Sequence, residues 1–442
     1  MIKSVSSQAM RLRRRFISGG TTTALVLAVT LIQGPTQRLN GQTIALTWAQ
    51  IKLRFLAQNP NVLAGQLNIQ ESKANEITAG LRPNPQFSFT ADGLQLSPHE
   101  GVWRPLSGVL FTPGVSVLIE RQNKRGLRSD SARLATSGTT SDQEDLKRNL
   151  IFAARTAYVG VLQSKAMLAL AQVNLQYYDS VIELNRTRFQ AGDISQLDFQ
   201  RVEIQRVQFE SDLANARVNL RTAKIQVLAL LNDRTPVDDF DVTGDFDYKD
   251  SVILLPELRQ TALQNRPDLR SAETAIEKAR ADNHLAIANG TADPVVGGWY
   301  SRNPSFNNPF DFNSIGGNIS IPLRIFDKNQ GEKARTSVEI QRAERLRDAL
   351  LAGIYRDVDS AFGTLESVRT LLRPYRDKYL KQSADIRDKV SLSYSQGNAT
   401  LLEFLDAQKQ YRDTQLAYVN LEGTFWNAFA QLGLAAGQEV SP

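Results

Sequence analysis

The chain repeats one plan at an offset of about 205 residues, longer than the roughly 20–50 residues of solenoid repeats. Residues 57–62 (AQNPNV) match residues 264–269 (QNRPDL), and residues 188–192 (RFQAG) match residues 393–397 (SYSQG). Such an offset indicates that a whole half was duplicated. We therefore predict a first structural repeat at residues 42–235 and a second at residues 236–442, each with a helix, two strands and a long helical hairpin.

Apolar residues at a spacing of 3.5 run through both halves, from Leu150 to Phe189 and from Leu351 to Ile386. In the first series only Ser164 and Asn185 are polar. Sustained periodicity of this kind predicts coiled-coil packing of long helices. The second long helix, from about residue 329 to 394, would measure about 100 Å. Pro374 lies inside it and should kink it. Shorter return helices are predicted at residues 196–232 and 401–434.

Alternating apolar residues predict a strand pair in each half. The first pair covers about residues 86–120, with Phe87, Phe89 and Ala91 on one face of one strand and apolar residues at the odd positions 109–119 of the other. The second covers about residues 295–323. There we predict pairing between two apolar sets, namely Val295, Gly297 and Trp299 with Ile315, Ile319, Ile321 and Leu323. Alternation alone fits either a soluble sheet packed on helices or strands whose apolar face contacts lipid.

Residues 1–41 have the three parts of a secretory signal peptide: basic residues, an apolar run at 24–32, and small or polar residues up to Gly41, where we place cleavage. The apolar run is too short to span a bilayer. Residues 13–17 also resemble a twin-arginine signal, although a chain destined for a β-barrel should cross the inner membrane unfolded. The segment predicts export.

The formal charge of +6 belongs to this leader, because residues 1–41 hold six basic residues and no acidic one. The remaining chain is nearly neutral, so its charge gives no support to nucleic-acid binding. Cysteine is absent, which excludes disulfides, thiolate metal sites and an N-terminal lipid anchor. Neither histidine has the spacing of a catalytic triad or a metal site. We predict no enzyme activity, no cofactor and no metal centre.

Four strands cannot close a membrane barrel, and an open sheet edge in lipid leaves backbone groups unsatisfied. Single-chain barrels need at least about eight strands, so two chains would supply enough strands and three chains would supply about twelve. If the strands contact lipid, the chain must therefore be an oligomer. Strand counting alone does not choose between the dimer and the trimer.

Several motifs, in order along both halves, resemble the TolC-like outer-membrane efflux family. They are GLRPNP at 80–85, RPDL at 266–269, ISIPL at 319–323 with Phe326 and Asp327, YSQG at 394–397 and LLEFLDAQ at 401–408. Glu120 and residues 124–126 (KRG) are also similar to the heavy-metal cation efflux, CzcC-like, branch. The resemblance covers nearly all of the chain after residue 41.

The resemblance implies a mixed α and β fold, in which each half gives two strands to a trimeric 12-stranded transmembrane β-barrel and long helices to a periplasmic α-helical barrel. It implies a passive exit duct in the outer membrane with a long periplasmic extension. The implied partners are two further copies of the chain, outer-membrane lipid, a periplasmic adaptor (membrane fusion) protein and an inner-membrane efflux pump. The alternative is a periplasmic coiled-coil scaffold or adaptor without a membrane barrel.

The resemblance also places functional residues at the periplasmic end. Gly192 and Gly397 would lie at the hairpin tips, where glycine permits the left-handed conformation of a sharp reversal. Glu403 and Asp406 would form the periplasmic constriction. They are three residues apart and so share a helix face, and three copies would form carboxylate rings that favour cations and raise one another's pKa.

A lock near the tips is a further implication of the resemblance. Asp198 and Tyr394 match two positions of the polar links that hold the entrance closed in the family. An arginine that often joins these links is replaced by Ala399, so closure here is expected to depend more on apolar packing.

Overall fold

The computed structural model describes residues 44–98, 100–103, 105–106, 109–248, 254–302 and 313–439. The predicted signal peptide at residues 1–41 lies outside the described residues. The first half contains, in chain order, β1 (Ile44–Leu46), α1 (Trp48–Gln58), α2 (Pro60–Gly80), β2 (Gln86–Asp92), β3 (Leu110–Leu118), α3 (Lys124–Ala191) and α4 (Gln196–Leu230). The second contains a 3₁₀ turn (Val237–Asp239), β4 (Phe240–Val242), α5 (Leu255–Asn265), α6 (Pro267–Asn289), β5 (Val295–Arg302), β6 (Asn313–Ser320), α7 (Gln330–Pro374), a π-helical turn (Tyr375–Tyr379), α8 (Leu380–Ser395) and α9 (Leu401–Ala436).

The same local devices start equivalent helices in the two halves. Pro60 and Pro267 occupy the first turns of α2 and α6, where proline's fixed φ suits a helix and its missing N–H is not needed. Asn123 and Asn329 precede α3 and α7 with φ of 51° and 63°, a left-handed conformation that asparagine tolerates better than most residues. Local sequence therefore sets the strand-to-helix turns in both halves.

Four strands form one antiparallel sheet in the order β2-β3-β5-β6, and β1 pairs with β4 in a separate parallel pair. Residues directly opposite one another in a sheet lie on the same face, and successive residues alternate between faces. One face carries large apolar side chains that are mostly exposed, such as Phe87 at 72% and Ile315 at 87%. We call this the apolar face. The other, the polar face, carries mainly Gln, Ser, Thr, Gly and Asn.

The predicted pairing in the second half is wrong by one residue. Val295, Gly297 and Trp299 lie opposite Ser320, Asn318 and Gly316, whereas Ile315 and Ile319 lie opposite Tyr300 and Val296. Ile321 and Leu323 follow the end of β6. Four glycines in β5 and β6, at 297, 298, 316 and 317, carry no side chain to mark a face. Pairing with β3, where Gly114 lies opposite Trp299, places Trp299 on the polar face.

The helices pack along one another. α3 contacts α2, α4, α6 and α9, and α7 contacts α5, α6 and α9. With 68 residues, α3 is about 100 Å long at about 1.5 Å per residue. At Pro374, where we predict a kink, α7 passes into a π-helical turn that begins at the next residue. Proline cannot donate the hydrogen bond that an α-helix needs at this point, so the helix widens there.

Two apolar cores stabilise the helical part. The larger is formed mainly by α1, α3, α5, α7 and α9, and its members include Ile51, Phe55, Val62, Val161, Val358, Leu365, Leu372 and Leu432. The smaller lies near the ends of the long hairpins and comprises Tyr178, Val181, Ile182, Val202, Phe209, Tyr394 and Phe404. This smaller core joins the two hairpins, because its residues come from α3 and α4 of the first hairpin and from α8 and α9 of the second hairpin.

Among the described residues, no helix is both long enough and apolar enough to cross a membrane.

Candidate functional site: the tips of the helical hairpins

Each long hairpin reverses at a glycine in the left-handed conformation. Gly192 has a φ of 83° and Gly397 a φ of 76°. Their N–H groups donate to the carbonyls of Phe189 and Tyr394, at 3.0 and 3.1 Å, and those of the next residues, Asp193 and Asn398, donate further back into the helix, at 2.9 and 2.8 Å. A Cβ at either glycine would meet no atom within 4 Å. The backbone conformation, and not crowding, is therefore what favours glycine at these two positions.

Each return helix begins with a side-chain cap just after the tip. The Ser195 hydroxyl accepts from the N–H of Asp198 at 3.1 Å, and the Thr400 hydroxyl accepts from the N–H of Glu403 at 3.3 Å. The Glu403 carboxylate accepts in turn from the N–H of Thr400 at 2.8 Å, which completes a capping box. The signal was present in the sequence as Thr-x-x-Glu at 400–403, and our sequence analysis missed it.

Glu403 and Asp406 lie on the exposed face of α9. Phe404, Ala407 and Gln408 form the opposite, buried face. Asp406 Oδ2 accepts from Gln410 Nε2 at 2.8 Å. Backbone and hydroxyl hydrogen bonds from Thr400 lower the pKa of Glu403 within one chain. This cap acts against the rise in pKa that repulsion between three copies would produce.

Tyr394 joins the second hairpin to the first through its hydroxyl. The phenol donates to Asn185 Oδ1 at 2.6 Å, and Asn185 Nδ2 donates to the Val181 carbonyl at 2.8 Å. Asn185 is fully buried, at 0% exposure, and burial raises the pKa of Tyr394. A buried polar group is costly unless it is paired, so this link fixes how α8 sits against α3.

Arg188 makes a second contact between the hairpins at the same place. Its Nη1 donates to the Tyr394 carbonyl at 2.9 Å, and its guanidinium carbon lies 4.7 Å from the centre of the Tyr394 ring, within the range of a cation–π interaction. The Tyr394 ring stacks on Phe404 at 4.6 Å. The equivalent pair in the first hairpin, Phe189 and Phe199, stacks at 5.4 Å.

The Asp198 carboxylate contacts residues close to it in the chain. Its carboxylate accepts from the Ser195 hydroxyl at 2.8 Å and lies 3.7 Å from Arg201. Within the described part of a single chain, no hydrogen bond joins Asp198 to Tyr394. The residues that hold Tyr394 are Asn185 and Arg188. Of these, Asn185 was visible in the sequence as a rare polar residue in an apolar 3.5-residue series.

A second polar contact between the hairpins lies on α8 and α9, further from the tips. Gln408 Nε2 donates to the hydroxyls of Ser391 and Tyr177 at 3.1 and 3.3 Å. The Arg387 guanidinium lies 4.0 Å from the ring centre of Tyr411 and 5.0 Å from that of Tyr177. These contacts join the second hairpin to the first independently of those around Tyr394.

Two charged residues of the CzcC-like motif, which lies around the start of α3, form ion pairs. Glu120 forms an ion pair with Arg128, and Lys124 forms one with Asp293. No cluster of three or more His, Cys, Asp or Glu side chains that could hold a metal ion occurs among the residues that the structure describes.

Comparison with known proteins gives one consistent match. The model of the family described as outer membrane efflux protein matches twice, at residues 54–233 and 258–438. The cobalt-zinc-cadmium resistance protein CzcC of Cupriavidus metallidurans is 22% identical over 86% of this chain and 87% of that protein. The pyoverdine export outer membrane protein OpmQ of Pseudomonas putida is 24% identical over 85% of this chain and 83% of that protein.

Solved structures show the same fold. A crystal structure of CusC has a TM-score of 0.75 at 17% identity and covers 88% of this chain and 92% of that one. The outer membrane protein VceC from Vibrio cholerae has a TM-score of 0.72 at 15% identity and covers 88% of this chain and 96% of that one. The predicted mixed α and β, TolC-like fold class is confirmed.

The matches also confirm the predicted efflux function, the outer-membrane location with a periplasmic helical extension, and the partners, which are further copies of the chain, an adaptor and an inner-membrane pump. They favour these predictions over the coiled-coil scaffold. The matched family consists of efflux channels and not of enzymes. The chain belongs to the outer membrane efflux protein family.

Proposed function

We propose that three copies of this chain close a twelve-stranded barrel, continue it as a tunnel of helical hairpins, and act as a passive duct with no catalytic activity of their own. Each copy contributes two structural repeats, residues 42–235 and 236–442. Cargo enters at the hairpin tips around Gly192 and Gly397 and leaves through the barrel. The pump and the adaptor supply the driving force and choose the cargo.

The observation that carries this proposal is the two-faced sheet with open edges. β2 and β6 each have a strand neighbour on only one side among the described strands, and the apolar face exposes large side chains such as Phe89 and Ile319. Exposed apolar surface of this kind suits contact with lipid. In lipid the open edges would leave backbone groups without partners. Pairing of β2 with β6 of a neighbouring copy removes both edges.

At the entrance we propose that Glu403 and Asp406 line the constriction. Both are exposed on one face of α9 just after the tip, whereas the opposite face is buried against the other helices. In a threefold ring such a face can point toward the axis, and the carboxylates would then favour cations. Asp198 and Tyr394 remain our candidates for the lock between copies, and within each copy Asn185 and Arg188 hold Tyr394.

Relatives of nearly equal identity are named for cobalt, zinc and cadmium resistance and for pyoverdine export. Because relatives of similar identity are named for such different cargoes, we propose that this duct imposes only a charge preference on the exit path and leaves the choice of cargo to the pump and the adaptor. On this view the CzcC-like motif residues Glu120 and Lys124 stabilise the fold and do not bind cargo.

The constriction is tested by removing its charge while keeping the helix cap. We expect Glu403→Gln with Asp406→Asn to lower the cation-over-anion permeability ratio severalfold in planar-bilayer recordings and to relieve block by multivalent cations. Glutamine can still complete a capping box, so the start of α9 should remain intact. The reversal potential in a salt gradient gives the ratio even when the conductance is small.

Asp377→Asn with Asp388→Asn is the charge-matched control, because these carboxylates lie in the segment before the tip, where they pair with Arg376 and Arg387. The control should leave the permeability ratio unchanged. An equal change in the control, or no change in the Glu403 and Asp406 variant, would contradict the constriction.

A further inference from the structure

Trp299 is the one aromatic residue on the polar face of the described sheet. It lies directly opposite Gly114 on β3 and Gly316 on β6. The remaining residues of that face are Gln86, Ser88, Thr90, Asp92, Leu110, Thr112, Ser116, Leu118, Val295, Gly297, Ser301, Ser314, Asn318 and Ser320. Since the apolar face is the one suited to lipid, the polar face lines the lumen of the duct.

The indole ring lies against the sheet over a glycine. A Cβ on Gly316 would come within 2.2 Å of Trp299 Cζ2 and 2.4 Å of its Cε2, so only glycine leaves room for the ring in this position. On the other side, a Cβ added to Gly114 would lie 3.4 Å from the Cβ of Trp299. Because both residues directly opposite Trp299 are glycines, no side chain projects from the sheet on either side of the indole at this position.

The charges of the polar face favour positively charged solutes. Among the described strand residues on this face there is no Lys or Arg, and the single ionisable group is Asp92 near the end of β2. Arg302 lies on the other face, because it is three residues from Trp299. An aromatic face in a wall that has a carboxylate and no cation attracts cations through the ring quadrupole and through charge.

We propose that Trp299 forms a binding surface for aromatic organic cations within the barrel lumen. An aromatic ring of the cation stacks on the indole, and the Asp92 carboxylates of the three copies raise the cation concentration in the lumen. This inference rests on the proposed trimeric duct, because the polar face is a lumen only when three copies close the barrel. The competing explanation is that the ring only covers the backbone at Gly316.

The experiment is block of ion conductance through the detergent-purified full chain in planar bilayers. The probe is tetraphenylphosphonium, added on the side of the strand loops, and tetraphenylborate is the control of matched shape and opposite charge. We expect the cation to block and Trp299→Leu to weaken its apparent affinity about fivefold. Trp299→Phe should retain most of the block. Trp103→Leu is the matched control, since Trp103 lies in the loop after β2.

Gly316→Ala provides a second variant in case Trp299→Leu does not assemble. The added methyl group would displace the indole from the wall into the lumen, so the unblocked conductance should fall, and Trp299→Leu added to Gly316→Ala should restore it. A conducting trimer whose block is the same in Trp299→Leu, or is weakened equally by Trp103→Leu, would overturn the site and leave the duct intact. An unmodified chain that gives no trimer and no conductance would overturn both.

Discussion

Replacing Asn185 by leucine is expected to weaken the contact between the two hairpins near their tips and to raise the ion conductance several-fold. The Tyr394 phenol donates to Asn185 Oδ1 in a fully buried position, and leucine would leave that phenol without a partner. An unsatisfied buried polar group costs about 1–3 kcal/mol, and the trimer contains three such links. The cost falls only on the state in which α8 lies against α3, so the equilibrium shifts toward separated hairpins.

Removing the other partner of this hydrogen bond, by Tyr394→Phe, should also raise the conductance, because it leaves the Asn185 amide oxygen without its donor. The double variant Asn185→Leu with Tyr394→Phe should be closer to the unmodified channel than either single variant, since removing both partners of a buried hydrogen bond is nearly neutral. Single-channel conductance measures all three variants. Tyr355→Phe, on the exposed side of α7, is the control and should change nothing.

This cycle separates a specific link from a general packing effect. If the two single effects simply add in the double variant, Asn185 and Tyr394 do not act as a pair. In that case the contact of Arg188 with the Tyr394 carbonyl and ring would be the main connection at this place.

Replacing Asp293 by alanine should cause the largest loss of stability. Lys124 is 3% exposed, and its Nζ donates to Asp293 Oδ2 at 2.6 Å and to the Thr291 carbonyl at 2.7 Å. The substitution leaves the ammonium group buried without its carboxylate, and breaking a buried pair in this way costs about 3–5 kcal/mol. Thermal unfolding in detergent should therefore begin at a clearly lower temperature, with less trimer recovered.

The pH dependence of this effect has a defined sign. Burial alone would raise the pKa of Asp293, but hydrogen bonds from Lys124 and the Arg121 N–H outweigh it, and the pKa lies below its usual value. A depressed carboxyl pKa stabilises the folded state above the unfolded-state pKa of about 3.9 and loses that contribution as the pH falls further. The difference between the unmodified chain and Asp293→Ala should be full near pH 7 and shrink below about pH 4.

Two further variants control the assignment. Lys124→Met with Asp293→Leu should recover much of the lost stability, because apolar residues often replace a buried ion pair at little cost. Asp377→Ala removes an exposed pair with Arg376, and such pairs contribute about 0–1 kcal/mol. A loss in Asp377→Ala as large as that in Asp293→Ala would show that the buried pair has no special importance.

Sequence patterns predicted those parts of the fold that depend on repeated side-chain chemistry. The 3.5-residue series predicted the long helices, and the alternation in residues 109–119 gave the correct faces for β3. The face of β5 was predicted wrongly because its two central glycines carry no side chain and Trp299 was grouped with the apolar residues of β6. Only the register with β3 and β6 decides that face, and register is a property of pairing between distant segments.

In the candidate site, too, local features could be predicted from the sequence and contacts between distant segments could not. The tip turns follow from Gly192 and Gly397, and the capping box at Thr400 and Glu403 is a local signal. The partner of Tyr394 could not be predicted locally, because Asn185 lies 209 residues away in the chain. Contacts between the hairpins depend on how two helices of different repeats align, which no short motif specifies.

The native mass of the detergent-purified particle tests the central claim most directly. The account predicts a single species of three mature chains, because closing the sheet edges of β2 and β6 requires neighbouring copies. Electron microscopy of the same particle should show threefold symmetry. A stable, folded monomer, or a particle of two chains that conducts ions, would contradict the account.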